Sequence, residues 1–85
     1  MMSTSMPITR AYEEIINFLA AGVTPQSLID FQSSETVKDR VASLIFQEKT
    51  EGLAAEEKTE LDQYLLLEHL LRLAKARAHQ HLSLT

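Results

Sequence analysis

The chain has 85 residues, 45% hydrophobic and 24% charged, with a net charge of -4 and no cysteine. That composition allows one globular domain and excludes disulfides and thiolate metal sites. No apolar run approaches the roughly 18 residues of a membrane span. MMSTSMPITR lacks the basic region and apolar core of a secretory signal, so the expected location is the cytoplasm.

Charge is unevenly placed. All 12 acids lie in residues 1–68. Residues 69–85 carry Arg72, Lys75 and Arg77, no acid, and all 3 histidines. Such a basic end complements the dipole of a helix C-terminus, or serves an acidic partner or nucleic acid.

Residues 1–8 show no periodic face and read as a flexible tail, residues 9–82 as a single helical domain, and residues 83–85 as a flexible end. Thr9 is placed to cap a first helix over about 9–21, stopped by Gly22. Arg10, Glu13, Glu14 and Asn17 share one face of it. Tyr12, Ile15, Ile16 and Leu19 share the other, with Phe18 at its edge. Thr24-Pro25 restarts the chain as N-cap and first helical residue of a two-turn helix over about 25–31. Its Leu28, Ile29 and Phe31 are expected to plug one end of the core.

Ser33 or Ser34 caps a third helix over about 34–51, with Glu35 in its first turn and Gly52 as its stop. Val37, Val41, Leu44 and Ile45 form its inner stripe. Phe46 points nearly opposite that stripe and needs cover from the first two helices or from a partner. The short connection after Gly52 makes the third and fourth helices an antiparallel hairpin. Ala54 is a poor N-cap for the fourth, while Glu56, Glu57 and Glu60 suit the positive end of its dipole and read as a solvated acidic face.

The fourth helix, over about 55–82, is roughly 40 Å long and outreaches the third by around 13 Å. Leu66, Leu67, Leu70, Leu71, Leu73 and Ala74 cover about half its circumference, with Leu61 and Leu65 on the other side. Glu68, Arg72, Lys75 and His79 form the remaining polar stripe, with Glu68 and Arg72 a favourable pair one turn apart. A helix so widely apolar is central in a bundle or lies at an interface. The fold class is therefore all-α: an antiparallel hairpin of the third and fourth helices, with two shorter helices packed across it.

The stretch EKTEGLAAEEKTELDQYLLLEHLLRLAKARA resembles the C-terminal signature of a family of small, uncharacterised, mostly cyanobacterial proteins. ITRAYEEIINFLAAGVTPQSLIDFQSSETVKDRVASLI is similar to the N-terminal part of the same family. Some of these proteins resemble the antitoxin half of a toxin–antitoxin pair. The resemblance implies a partner-binding role and carries no site residues. The family has Ser or Thr near Ala54 and a polar residue near Phe46, so the cap and the outward face of the third helix depart from it.

Chemistry is sparse. His79 and His81, two residues apart, point about 160° away from each other on a helix and cannot chelate, and His69 is too far along the axis to join them. No cofactor or metal is expected. Glu13, Glu14, Glu56, Glu57 and Glu60 are carboxylates without a pocket to raise their pKa. No serine occupies a nucleophile elbow and both glycines read as helix stops. No enzymatic activity and no small-molecule substrate are expected. The break at Gly22–Pro25 superficially suggests a helix-turn-helix, but Pro25–Phe31 contains Asp30 and no Lys or Arg to meet phosphate.

The leading expectation is a non-enzymatic, antitoxin-like interaction module that binds a protein partner, or itself, through the fourth helix. Phe46, Leu66, Leu70 and Leu73 would anchor the contact, and Arg72, Lys75 and Arg77 would orient an acidic partner. The alternative is a nucleic-acid-associated regulator using the basic C-terminal end. A purely structural homodimer is a third reading.

Overall fold

A computed structural model describes residues 10–83. It contains four helices and, among the described residues, no strand: α1 (Glu13–Ala20), α2 (Pro25–Asp30), α3 (Glu35–Thr50) and α4 (Ala55–Ser83). None of them is long and apolar enough to cross a membrane.

The breaks between helices follow from local chemistry. Gly22 and Gly52 take φ of 98° and 86°, the left-handed conformation that ends a helix at little cost to glycine. Thr24 caps α2 reciprocally: its hydroxyl accepts from the Ser27 amide at 3.1 Å, and Ser27 Oγ accepts from the Thr24 amide at 2.9 Å. Phe31 then leaves the helix in extended backbone, so α2 ends one residue earlier than its spacing suggests. Ser34, not Ser33, caps α3 by accepting from the Val37 amide. Ser33 Oγ instead lies 2.9 Å from Tyr64 Oη.

The first helix is shorter than the expected 9–21, and Thr9 lies outside the described residues. Arg10 to Tyr12 form a tight turn, closed by the Glu13 amide on the Arg10 carbonyl at 3.1 Å. Tyr12 stands at the N-cap with no side-chain cap. The inner face of α1 also differs. Ala11 and Ile15 are buried and Phe18 half-buried, whereas Ile16 and Leu19 face water. Glu14 accompanies this rotation, its carboxylate reaching across the surface to accept from the Ser34 amide at 2.8 Å. That amide is an orphan donor at the mouth of α3.

The hairpin of α3 and α4 is antiparallel. Gln47 meets Glu57, Glu48 meets Lys58, and further from the turn Arg40 meets Glu60. Val37, Val41 and Leu44 fill the inner stripe of α3 as its spacing predicts, against Leu61, Tyr64 and Leu71 of α4. α1 contributes Ala11 and Ile15 to the same core, and α2 packs closely along α4. Phe18 and Phe31 stack with centroids 4.3 Å apart, tying α1 to the segment after α2.

Glu60 is the exception among the acids at the start of α4. It is buried, at 4% exposure, rather than solvated. Arg40 Nε donates to its Oε2 at 3.0 Å and Arg40 Nη2 to its Oε1 at 2.8 Å, a bidentate pair. The Ala11 amide donates to Oε2 at 2.8 Å. Hydrogen bonding from Arg40 holds the Glu60 carboxyl below its ordinary value of 4.5, despite the opposing effect of burial. The pairing raises Arg40 in turn.

Two stability predictions follow from these contacts. Glu57 at the third position of α4 accepts from the Ala54 amide at 3.1 Å, and the Ala54 carbonyl accepts the first helical bond from Lys58 at 2.9 Å. Ala54 is thus the N-cap of a capping box missing its hydroxyl. Ala54→Ser should raise stability by about 1 kcal/mol, or roughly 4–8 °C in Tm. An unchanged melting curve would reject that placement. Glu60→Gln should lose about 1–3 kcal/mol at neutral pH. The range is modest because the Arg40 side chain is 40% exposed and can turn to water. A depressed carboxyl pKa contributes stability that is complete above the unfolded-state value and is lost as pH falls through the folded-state one. Denaturant titrations should therefore show the gap between wild type and Glu60→Gln narrowing below the ordinary carboxyl value. A gap independent of pH would show that the charge of Glu60 carries none of it.

Candidate functional site

The long helix presents two distinct faces. Its inward stripe runs through Glu60, Leu61, Tyr64, Leu67, Leu71 and Ala78, all buried or half-buried. At 100° per residue, Leu66, Leu70 and Leu73 fall within about 60° of one another, on the side turned away from that stripe. They are 55%, 51% and 56% exposed. Every other residue near the centre line of this outer face, from Thr59 and Asp62 to Arg77 and Gln80, is exposed as well.

This phase corrects the apolar arc expected from sequence. By spacing, Leu66, Leu67, Leu70, Leu71, Leu73 and Ala74 cover about half the circumference of the helix. The structure instead splits them, with Leu71 inside, Leu67 and Ala74 half-buried, and the other three in water. The polar stripe is corrected with it, since Glu68 and Lys75 are half-buried. The physical reason is that α2 and α3 dock on the side of Tyr64 and Leu71, seven residues apart. Tyr64 bonds Ser33 there.

The molecule is thin. Its principal extents are 49 × 37 × 19 Å, and its radius of gyration is 15.0 Å, against about 12 Å for a compact domain of this length. A thickness of 19 Å holds about two helix layers, so among the described residues one side of α4 has no helix packed on it.

The remaining candidate residues separate. Phe46 is 67% exposed on the side of α3 opposite Val37, Val41 and Leu44, and none of the described helices covers it. Arg72 bonds Glu68 at 3.2 Å on the surface. Lys75 is turned inward: its Nζ donates to the Phe31 carbonyl at 2.6 Å, holding the end of α2 against α4. Its expected role in orienting a partner is corrected accordingly. Arg72 and Lys75 also line a cleft of about 600 Å³ between α3 and α4, floored by Val41, Ile45 and Leu71. Arg77 is exposed and stands on the leucine face.

Sequence reading missed the tertiary roles of Glu14, Glu60 and Lys75. Only Glu60 carried a signal: it shares the helical phase of Tyr64, Leu67 and Leu71. Its carboxylate already accepts three hydrogen bonds, which makes it a structural anchor. Among the described residues no group of three His, Asp or Glu side chains is placed to hold a metal ion. No protein-family model, curated protein or solved structure matches the chain.

Lys75→Met keeps the aliphatic stem and removes the donor to Phe31. It should cost about 1 kcal/mol and speed amide exchange in α2 more than in α3. Equal protection of α2 in both proteins would remove Lys75 as its tether.

Proposed function

We propose that this chain is a non-enzymatic interaction module of the cytoplasm, engaging a protein through the outer face of α4. The observation that carries the reading is the exposure of Leu66, Leu70 and Leu73 at helical spacing on a face that has no neighbour among the described residues. Apolar side chains grouped along one helix face mark a protein interface. Arg77, on the same face, is the cation best placed to meet an acidic group. The resemblance to antitoxin-like proteins supports the same reading, since it implies a partner-binding role. Phe46, on another helix, adds a second anchor if the partner wraps the hairpin.

The diversion of Lys75 to Phe31 and of Arg72 to Glu68 weighs against the nucleic-acid alternative, because phosphate binding needs uncommitted cations.

The test is the triple variant Leu66→Gln, Leu70→Gln, Leu73→Gln. These side chains lie outside the core, so each change should alter stability by no more than about 0.5 kcal/mol. Affinity capture from the native host, read by quantitative mass spectrometry, should lose the partners of the wild type, and any self-association should also disappear. A folded variant with an unchanged set of partners and an unchanged mass would refute the proposal. An unfolded variant would show instead that the face serves the fold.

A further inference from the structure

We infer that the partner of this face is a second copy of the chain, with two α4 helices paired antiparallel about a two-fold axis between residues 69 and 70. The inference rests on the proposed use of the α4 outer face and adds an occupant, an orientation and a register.

Charge sets the orientation. Near the centre line of the outer face the charges are Asp62 in the first half of α4 and Arg77 in the second, whereas Glu57 and Lys75 bond inward and Arg72 pairs with Glu68. A parallel pair would set Asp62 against Asp62 and Arg77 against Arg77. An antiparallel pair sets Asp62 of each copy towards Arg77 of the other.

The leucines set the register. With the axis between 69 and 70, Leu66 of one copy meets Leu73 of the second, and the two Leu70 side chains meet beside the axis. Six leucines then close one apolar seam, repeating at the spacing of about 3.5 residues that antiparallel helix pairs use. The same axis places Asp62 of one copy opposite Arg77 of the other, twice. Of the antiparallel registers that pair these leucines, this one also brings the two charges together. Asp62 is 59% exposed, with Lys58 one turn away at 3.5 Å, a weak surface pair that does not prevent a second contact. Arg77 has no ion pair among the described residues. At the outer ends Thr59 meets Gln80. The paired stretch is about 32 Å long, and every side chain along its centre line is already exposed, so docking requires no rearrangement. The interface is isologous and closes on itself, as a two-fold dimer must.

The absence of cysteine from the chain makes engineered thiols unambiguous reporters. His69→Cys lies beside the axis and should form a disulfide-linked dimer on mild oxidation. Thr59→Cys and Gln80→Cys should each fail to link with themselves, because like positions lie about 30 Å apart, far beyond disulfide reach. An equal mixture of those two variants should link. In sedimentation, Asp62→Arg and Arg77→Asp should each weaken the dimer by about tenfold, and the double exchange should restore it. Self-linking of Thr59→Cys would show parallel pairing and overturn the inference while leaving the α4 face in use. A mass that stays monomeric at millimolar concentration would also overturn it. In that case, partner capture by wild type but not by the leucine triple variant would preserve the broader reading, and identical capture by both would end it as well.

Discussion

A single carboxylate ties three parts of the chain together. Glu60 sits on α4, accepts both arms of Arg40 from α3, and accepts the Ala11 amide from the turn that opens α1. Each partner solves a problem for another. An isolated buried carboxylate would cost several kcal/mol, and the guanidinium offsets that cost. The Ala11 amide, a donor with no helical acceptor, would be orphaned without the carboxylate. With α1 held at this point, Ile15 reaches the core beside Val37 and Leu44. Glu14 then meets the mouth of α3, and Phe18 meets Phe31.

Anchoring α1, α2 and α3 to the Glu60 side of α4 leaves its other side open. A chain this short cannot wrap a helix of 29 residues all round. The inward stripe takes most of what the three shorter helices offer, and Leu66, Leu70 and Leu73 remain in water. The same arrangement explains the cations. Lys75 is spent on the end of α2 and Arg72 on Glu68, so Arg77 is the one that stays with the leucine face. The fold and the proposed pairing are thus two uses of one helix, on different sides of its circumference.

What the sequence disclosed was whatever depends on near neighbours. Gly22, Gly52, Thr24 and Ser34 set the helix boundaries through backbone and capping chemistry within a few residues, and the Val37–Val41–Leu44 stripe follows from spacing alone. The phase of α4 was hidden for a physical reason. Its apolar side chains are distributed almost all round it, so periodicity does not say which are inside. Tertiary partners decide: the helical phase of Glu60 places it on the inner side, but its pairing with Arg40 depends on how α3 docks. The candidate site was legible as a set of exposed leucines, but not as a face, because Lys75 and Glu68 were read on the wet side. The rotation of α1, which exposes Ile16 and Leu19, likewise goes with a contact twenty residues away, Glu14 on the Ser34 amide.

On this reading α4 is covered by the fold on one side and by a second copy on the other. Methyl NMR with a soluble paramagnetic probe tests both halves in one sample series. In dilute solution the methyls of Leu66, Leu70 and Leu73 should relax strongly while those of Leu61 and Leu71 stay protected. As protein concentration rises, the first three should become protected together. Protection of Leu66, Leu70 and Leu73 in the dilute monomer, or their full exposure at every concentration, would contradict the account.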